Sequence, residues 1–142
     1  MGKITIKKRD GNIFLSKKAQ SVKELVVLCH TKGMSLRDVD LSCGVDLSEI
    51  NLSGINLEGA NLSGANLRGT NLQRANLDKA NMIYADLSQA NLKNASLVGA
   101  MLINANLTKT DLSDANLKLV TMKGAKIMET NFDGANLDEL SM

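Results

Sequence analysis

The chain contains no proline and no tryptophan, and its only aromatic residues are Phe14, Tyr84 and Phe132. An ordinary globular core takes much of its buried area from aromatics, so this interior has to be built from small aliphatic side chains. No apolar run approaches the ~20 residues that cross a bilayer. Neither a lipidation motif nor a basic amphipathic helix is present, so no membrane association is expected. The N-terminal lysines are followed by no apolar stretch and no small-residue cleavage site, so a secretory signal is not expected and the cytoplasm is the expected compartment. Histidine occurs once, at His30, and cysteine twice, at Cys29 and Cys43. The cysteine spacing fits no metal-ligand pattern, and both are expected as reduced core thiols. There is no GxxxxGK[ST], no HExxH and no Ser-His-Asp set. The expectation is a non-enzyme with no catalytic residues, metal or cofactor.

Length and charge bound the rest. The 142 residues carry a net charge of +2, enough chain for one domain. Residues 1–44 hold nine Lys/Arg and four Asp/Glu, a net +5, whereas 45–142 hold eight and eleven, a net −3. Neither segment is extreme, and the basic start reads as a solvated surface rather than as direct nucleic-acid binding.

What is abundant is a five-residue pattern. Ala60-Asn61-Leu62-Ser63-Gly64 is followed by Ala65-Asn66-Leu67-Arg68-Gly69 and Thr70-Asn71-Leu72-Gln73-Arg74. The Leu positions, or centres, recur by fives from Leu47 to Leu137 and Met142. The exceptions, Met82, Met122, Ile127, Phe132 and Met142, are all apolar. Two residues before each centre stands a small apolar residue, as at Ala60, Ala65, Ala75, Ala80 and Ala85. A period of five fits neither helix nor flat strand. It fits a coil that bends once per pentapeptide, with the centre and the Ala pointing inward.

Four bends close a square coil of twenty residues. Thr replaces the small residue at Thr70, Thr110 and Thr130, and Met takes the centre at Met82, Met122 and Met142. Both sets are spaced by multiples of twenty, so like residues stack above like, as in a solenoid. Seven of the eleven glycines lie two residues after a centre. A corner with φ > 0 favours Gly there, with Asn94 and Asn104 the next best tolerated types. The Asn before each centre is placed to hydrogen-bond neighbouring backbone.

Tandem A-[ND]-L-x-x over about 100 residues resembles the pentapeptide-repeat proteins. The resemblance implies an all-β solenoid: a right-handed quadrilateral parallel β-helix of about five coils, each rising ~4.8 Å.

The two ends differ. Residues 1–34 read as a cap, with 35–142 as the β-helix. Ile4-Thr5-Ile6-Lys7-Lys8 alternates like a strand, Asp10-Gly11 is a hairpin turn, and Ile13-Phe14-Leu15 returns. Ser21-Val22-Lys23-Glu24 is a capping box; Val22, Leu25, Val26 and Cys29 follow at helical spacing, and Gly33 is a stop. Leu36 and Leu41 open the repeat, and an extra residue within Ser42-Cys43-Gly44 shifts the phase to Leu47. Val45, Ile50 and Ile55 stand where later coils carry Ala, sized to fill space beneath the cap helix. The far end shows no comparable cap. Phe132, Leu137, Leu140 and Met142 are therefore expected at an apolar edge, which a two-fold homodimer would close.

Function is expected at outward positions. Asp78, Asp86 and Asp111 are expected to solvate the rod. Ile83, Tyr84, Val98, Met101, Ile103 and Leu119 break the polar rule, and a contiguous apolar patch marks a partner-binding surface. Tyr84 is the expected anchor. The leading expectation is a structural scaffold or protein–protein interaction module with a protein partner. The resemblance implies an alternative: some pentapeptide-repeat proteins mimic B-DNA, bind type II topoisomerases such as DNA gyrase and protect them from quinolones. Such mimicry needs a dense acidic face, and lysines such as Lys79, Lys93, Lys109 and Lys118 interrupt the faces here.

Overall fold

The computed structural model describes residues 2–142. Strands β1 (Gly2–Lys8) and β2 (Ile13–Ala19) form an antiparallel hairpin, followed by helix α1 (Val22–Thr31). Asp10 and Gly11 make the turn. Gly11 adopts φ +86°, and its N–H donates to the Lys8 carbonyl at 2.9 Å. The Asp10 carboxylate accepts the backbone and side-chain N–H groups of Asn12, which holds its pKa below the ordinary carboxylate value.

Capping fixes both ends of α1. The Ser21 hydroxyl accepts the Glu24 N–H at 3.2 Å. The Glu24 carboxylate takes the Gln20 N–H at 2.6 Å, one residue before the N–H that a capping box engages. At the other end Gly33 (φ +63°) donates to His30 O, and the Met34 N–H donates to Cys29 O at 2.9 Å, a Schellman closure. Leu25, Val26 and Cys29 are buried, and burial pushes the Cys29 thiol pKa up.

The cap is stitched to the repeat by backbone as well as by packing. A two-residue strand β3 (Val39–Asp40) pairs antiparallel with Lys7 and Lys8, giving the sheet order β2-β1-β3. The Arg9 N–H donates to Asp38 O at 2.8 Å, and its guanidinium donates to Gly59 O at 3.1 Å.

From Asp46 onward every bridge is parallel and joins a residue to the one twenty further on, from Asp46↔Asn66 to Thr121↔Ser141. The result is a right-handed four-sided parallel β-helix. Each centre N–H from Leu47 to Met122 donates to the next coil, as from Leu62 to Asn81 O at 2.7 Å, and Asn81 N–H returns to Ala60 O at 2.9 Å. Between them the peptide groups are satisfied along the axis. Inside, the centres from Leu47 to Leu117 and the alanines from Ala60 to Ala115 are buried. The hydroxyls of Thr70, Thr110 and Thr130 donate at 2.7 Å to the carbonyls of Leu47, Leu87 and Leu107. The buried Thr70 and Thr110 and the half-buried Thr130 are thus paired within the stack.

The extra residue is located by hydrogen-bond register. Leu41 and Cys43 donate twenty residues ahead, to Asn61 and Ser63, whereas Leu47 and Glu49 donate nineteen ahead, to Asn66 and Arg68. Cys43 (φ +61°) and Gly44 (φ +77°) are consecutive left-handed residues at that step. This corrects the expectation for one cysteine. Cys43 occupies an outward corner and is exposed, and only Cys29 is a core thiol.

Each corner is a turn in which the residue after the corner donates to the centre, as Ala65 N–H does to Leu62 O at 3.0 Å. Only the third turn residue has φ > 0, which is the type II form. Glycine supplies it at Gly54 to Gly69, but Arg74, Lys79, Tyr84, Gln89, Lys109 and Leu119 adopt φ of 57–61° as well. That conformation costs a residue with a Cβ about 1–2 kcal/mol. The coils above and below fix the register and impose it.

Candidate functional site

The twenty-residue register sorts outward residues into four sides. The first is centred on Leu47, Leu67, Leu87, Leu107 and Ile127, the second on Leu52 to Phe132, the third on Leu57 to Leu137, and the fourth on Leu62, Met82, Leu102, Met122 and Met142. On every side an Asn or Asp before the centre folds its Oδ1 onto the N–H two residues on. Asn61 does this to Ser63 at 3.2 Å and Asn71 to Gln73 at 3.1 Å. This Asx turn starts the corner wherever Asn or Asp precedes the centre.

The carboxylates expected merely to solvate the rod are structural. Asp86 accepts the Ser88 N–H and, from the next coil, the Asn106 amide at 3.1 Å. Asp111 does the same with Ser113 and Asn131. Asp78 accepts the Ser96 hydroxyl at 2.6 Å and the Val98 N–H at 2.9 Å, both from the next coil.

Charges of both signs occupy three sides. Lys109–Glu129 on the first, Lys93–Asp114 on the second and Lys118–Glu139 on the third are ion pairs of 3.6–3.8 Å between successive coils. They are largely exposed, so each stabilises little. The fourth side differs. Between Asp40 and Lys123 its outward positions are Ser42, Cys43, Asn61, Ser63, Gly64, Asn81, Ile83, Tyr84, Met101, Ile103, Asn104 and Thr121, none of them charged.

Four of the six proposed partner-binding residues lie on this side. Ile83 and Ile103 stack in successive coils and are half-buried, as is Met101, which bridges Asn81 and Thr121. Tyr84, 67% exposed, projects from one corner. Leu119, 47% exposed, stands on the opposite corner, stacked over Gly99 and leading directly into Thr121. By its centre, Leu117, it belongs to the third side, in the same corner column as Lys79 and Glu139. Val98 stays on the third side, half-buried, beside that corner.

The far coil gathers the proposed edge residues. Phe132, Leu137, Leu140 and Met142 line, with Met122 and Ile127, a depression of about 230 Å³. Phe132 and Leu140 pack against the core, while Leu137 is 47% and Met142 70% exposed. Among the described residues no group of three or more His, Cys, Asp or Glu could hold a metal ion. Among the described residues no helix is long and apolar enough to cross a membrane.

The pentapeptide-repeat family profile matches residues 46–82, 80–118 and 105–139, in eight copies. The chain belongs to the pentapeptide-repeat family. Among solved structures it is similar to a pentapeptide repeat protein, Rfr23, from the cyanobacterium Cyanothece 51142. Identity is 34% over 70% of this chain and 65% of that one, with a TM-score of 0.53. The chain thus spans about 65% of the length of that relative. A pentapeptide repeat protein from the thylakoid lumen of Arabidopsis thaliana is 30% identical over 84% of this chain and 68% of that one, with a TM-score of 0.39. QnrB1, a plasmid-mediated fluoroquinolone resistance protein, is 20% identical over 68% of this chain and 63% of that one, with a TM-score of 0.42. Among proteins of curated function, none matches this pentapeptide-repeat chain.

Proposed function

We propose that this pentapeptide-repeat rod is a non-enzymatic scaffold that binds a protein partner through its fourth side. The observation that carries the reading is the fourth side's stretch without charge between Asp40 and Lys123, which bears Ile83, Tyr84, Met101 and Ile103 while the other three sides carry charge along their length. The backbone is the same on all four sides, so stability does not require this difference. Apolar residues on one flat, uncharged surface suit a partner of similarly low charge, with Tyr84 the natural anchor.

The test compares capture of proteins from the native host's lysate by the wild type and by an Ile83→Asp/Ile103→Asp variant with an unchanged circular dichroism spectrum. A protein retained by the wild type and lost by the variant supports the reading. Equal recovery with both removes it.

The charge layout weighs against a DNA mimic that binds gyrase. Arg68, Lys109 and Lys126 interrupt the first side, Arg74 and Lys93 the second, and Lys79 and Lys118 the third. No side offers the continuous negative charge of a duplex.

The exposed apolar atoms of Leu137 and Met142 favour a second contact. Two copies meeting at this coil would cover them in an isologous dimer. A light-scattering mass of one chain at micromolar concentration would eliminate the dimer without touching the first reading.

A further inference from the structure

β1 has two long sides, and only one is fully used. It pairs with β2 from Gly2 to Lys7, but β3 meets its other side only at Lys7 and Lys8. The chain then leaves β1 at Ser42–Gly44, where the extra residue and two consecutive positive φ angles turn it into the first coil. Gly2–Ile6 consequently presents an open strand edge. Beside it runs a groove of about 310 Å³ with a floor of Ile6, Val22 and Val45 and a rim of Lys7, Asp40 and Cys43. Past Val22 and Val45 the groove continues into a second depression of about 250 Å³ at the start of α1.

The free charge around this edge is positive, because Asp40 on the rim accepts the Ser42 N–H and the Asn61 amide, and Asp46 accepts the Ser48 N–H and faces Lys23. Lys3, Lys7, Lys8, Lys17 and Lys18 are exposed, and none takes part in the ion pairs formed among the described residues. Lys3 and Lys18 stand directly opposite across the hairpin. Like charges in that position destabilise a sheet. Asp10, the one acid of the hairpin, is engaged by Asn12. Lysines on an edge discourage pairing with a neutral or basic strand, and the same lysines favour an acidic one.

We propose that the cap binds an extended acidic segment of a partner protein, which adds to β1 along Gly2–Ile6 in line with β3. Strand addition draws affinity from main-chain hydrogen bonds and specificity from alternate side chains. Apolar side chains of the segment would enter the groove over Ile6, Val22 and Val45, and acidic ones would face Lys3 and Lys7. The groove's rim at Asp40 and Cys43 is the cap end of the fourth side, but the surface uses none of Ile83, Tyr84, Met101 and Ile103 and stands or falls independently of them.

The test is selection from a display library of random octapeptides against the full chain, followed by hydrogen exchange on the wild-type complex. The expected winners alternate apolar and acidic residues, bind a Lys3→Glu/Lys7→Glu variant at least tenfold more weakly, and slow exchange of the Gly2–Ile6 amides. The proposal is overturned if no peptide is enriched, if the winners lack acids or keep their affinity for the variant, or if protection falls elsewhere, β2 included. Because the exchange is read on the wild type, misfolding of the variant would not mask the result.

Discussion

Two sides of the same rod, the third and the fourth, share a backbone, a core and a corner column, yet differ in what they show to solvent. The third carries Glu58, Asp78, Lys79, Lys118, Asp138 and Glu139; the fourth carries no charge between Asp40 and Lys123. Inward positions obey the geometry on both sides: Leu97 and Leu102 are equally buried, as are Ala95 and Ala100. In a β-helix the interior is dictated by packing and the corners by φ. Outward positions between corners are constrained by neither, so their content is where function leaves a mark.

The comparison can be broken or sharpened by substitution. The largest effect should come from the shared interior. Leu97→Ala should destabilise by about 2–5 kcal/mol, and Ala95→Leu by at least as much, because the stacked coils leave no room to overpack. Urea denaturation measures both, and near-wild-type midpoints would mean the inward positions are misassigned. Corners come next. A Cβ at Gly124 would lie 2.3 Å from the Asn104 Oδ1, at φ +72°, so Gly124→Ala should cost more than about 1 kcal/mol. The reverse change relieves a corner. Arg74→Gly should raise stability by up to about 1 kcal/mol, since Arg74 sits at φ +57° where glycine is unstrained; a lower midpoint would contradict the corner account. Smallest of all should be Ile83→Asp/Ile103→Asp, under about 1 kcal/mol on half-exposed positions. A large loss of stability there would make the fourth side structural rather than functional.

The sequence made the solenoid legible because each physical requirement repeats. Leu and Ala every five residues reveal the interior, Gly two after a centre reveals the corner, and Thr and Met spaced by twenty reveal the four sides. Local events were harder to read. Val39–Asp40 is too short to carry a strand pattern, so its pairing with β1 appears only in three dimensions. Cys43 reads as apolar by type, but its corner position exposes it. Tyr84 and Leu119 are poor candidates for φ > 0 by local preference, and coil register overrides that preference. The candidate patch was legible as apolar residues out of place. That Asp78 holds the next coil depended on the corner geometry.

The most direct test of the fourth side as a binding surface is photo-crosslinking in the native host, with a photoreactive phenylalanine placed at Tyr84, at Leu119 or, as a control, at Arg74 on the corner between the second and third sides. The account predicts one discrete adduct of the same mass from positions 84 and 119 and none from 74. An adduct from 74 alone, or equal labelling from all three, would contradict it.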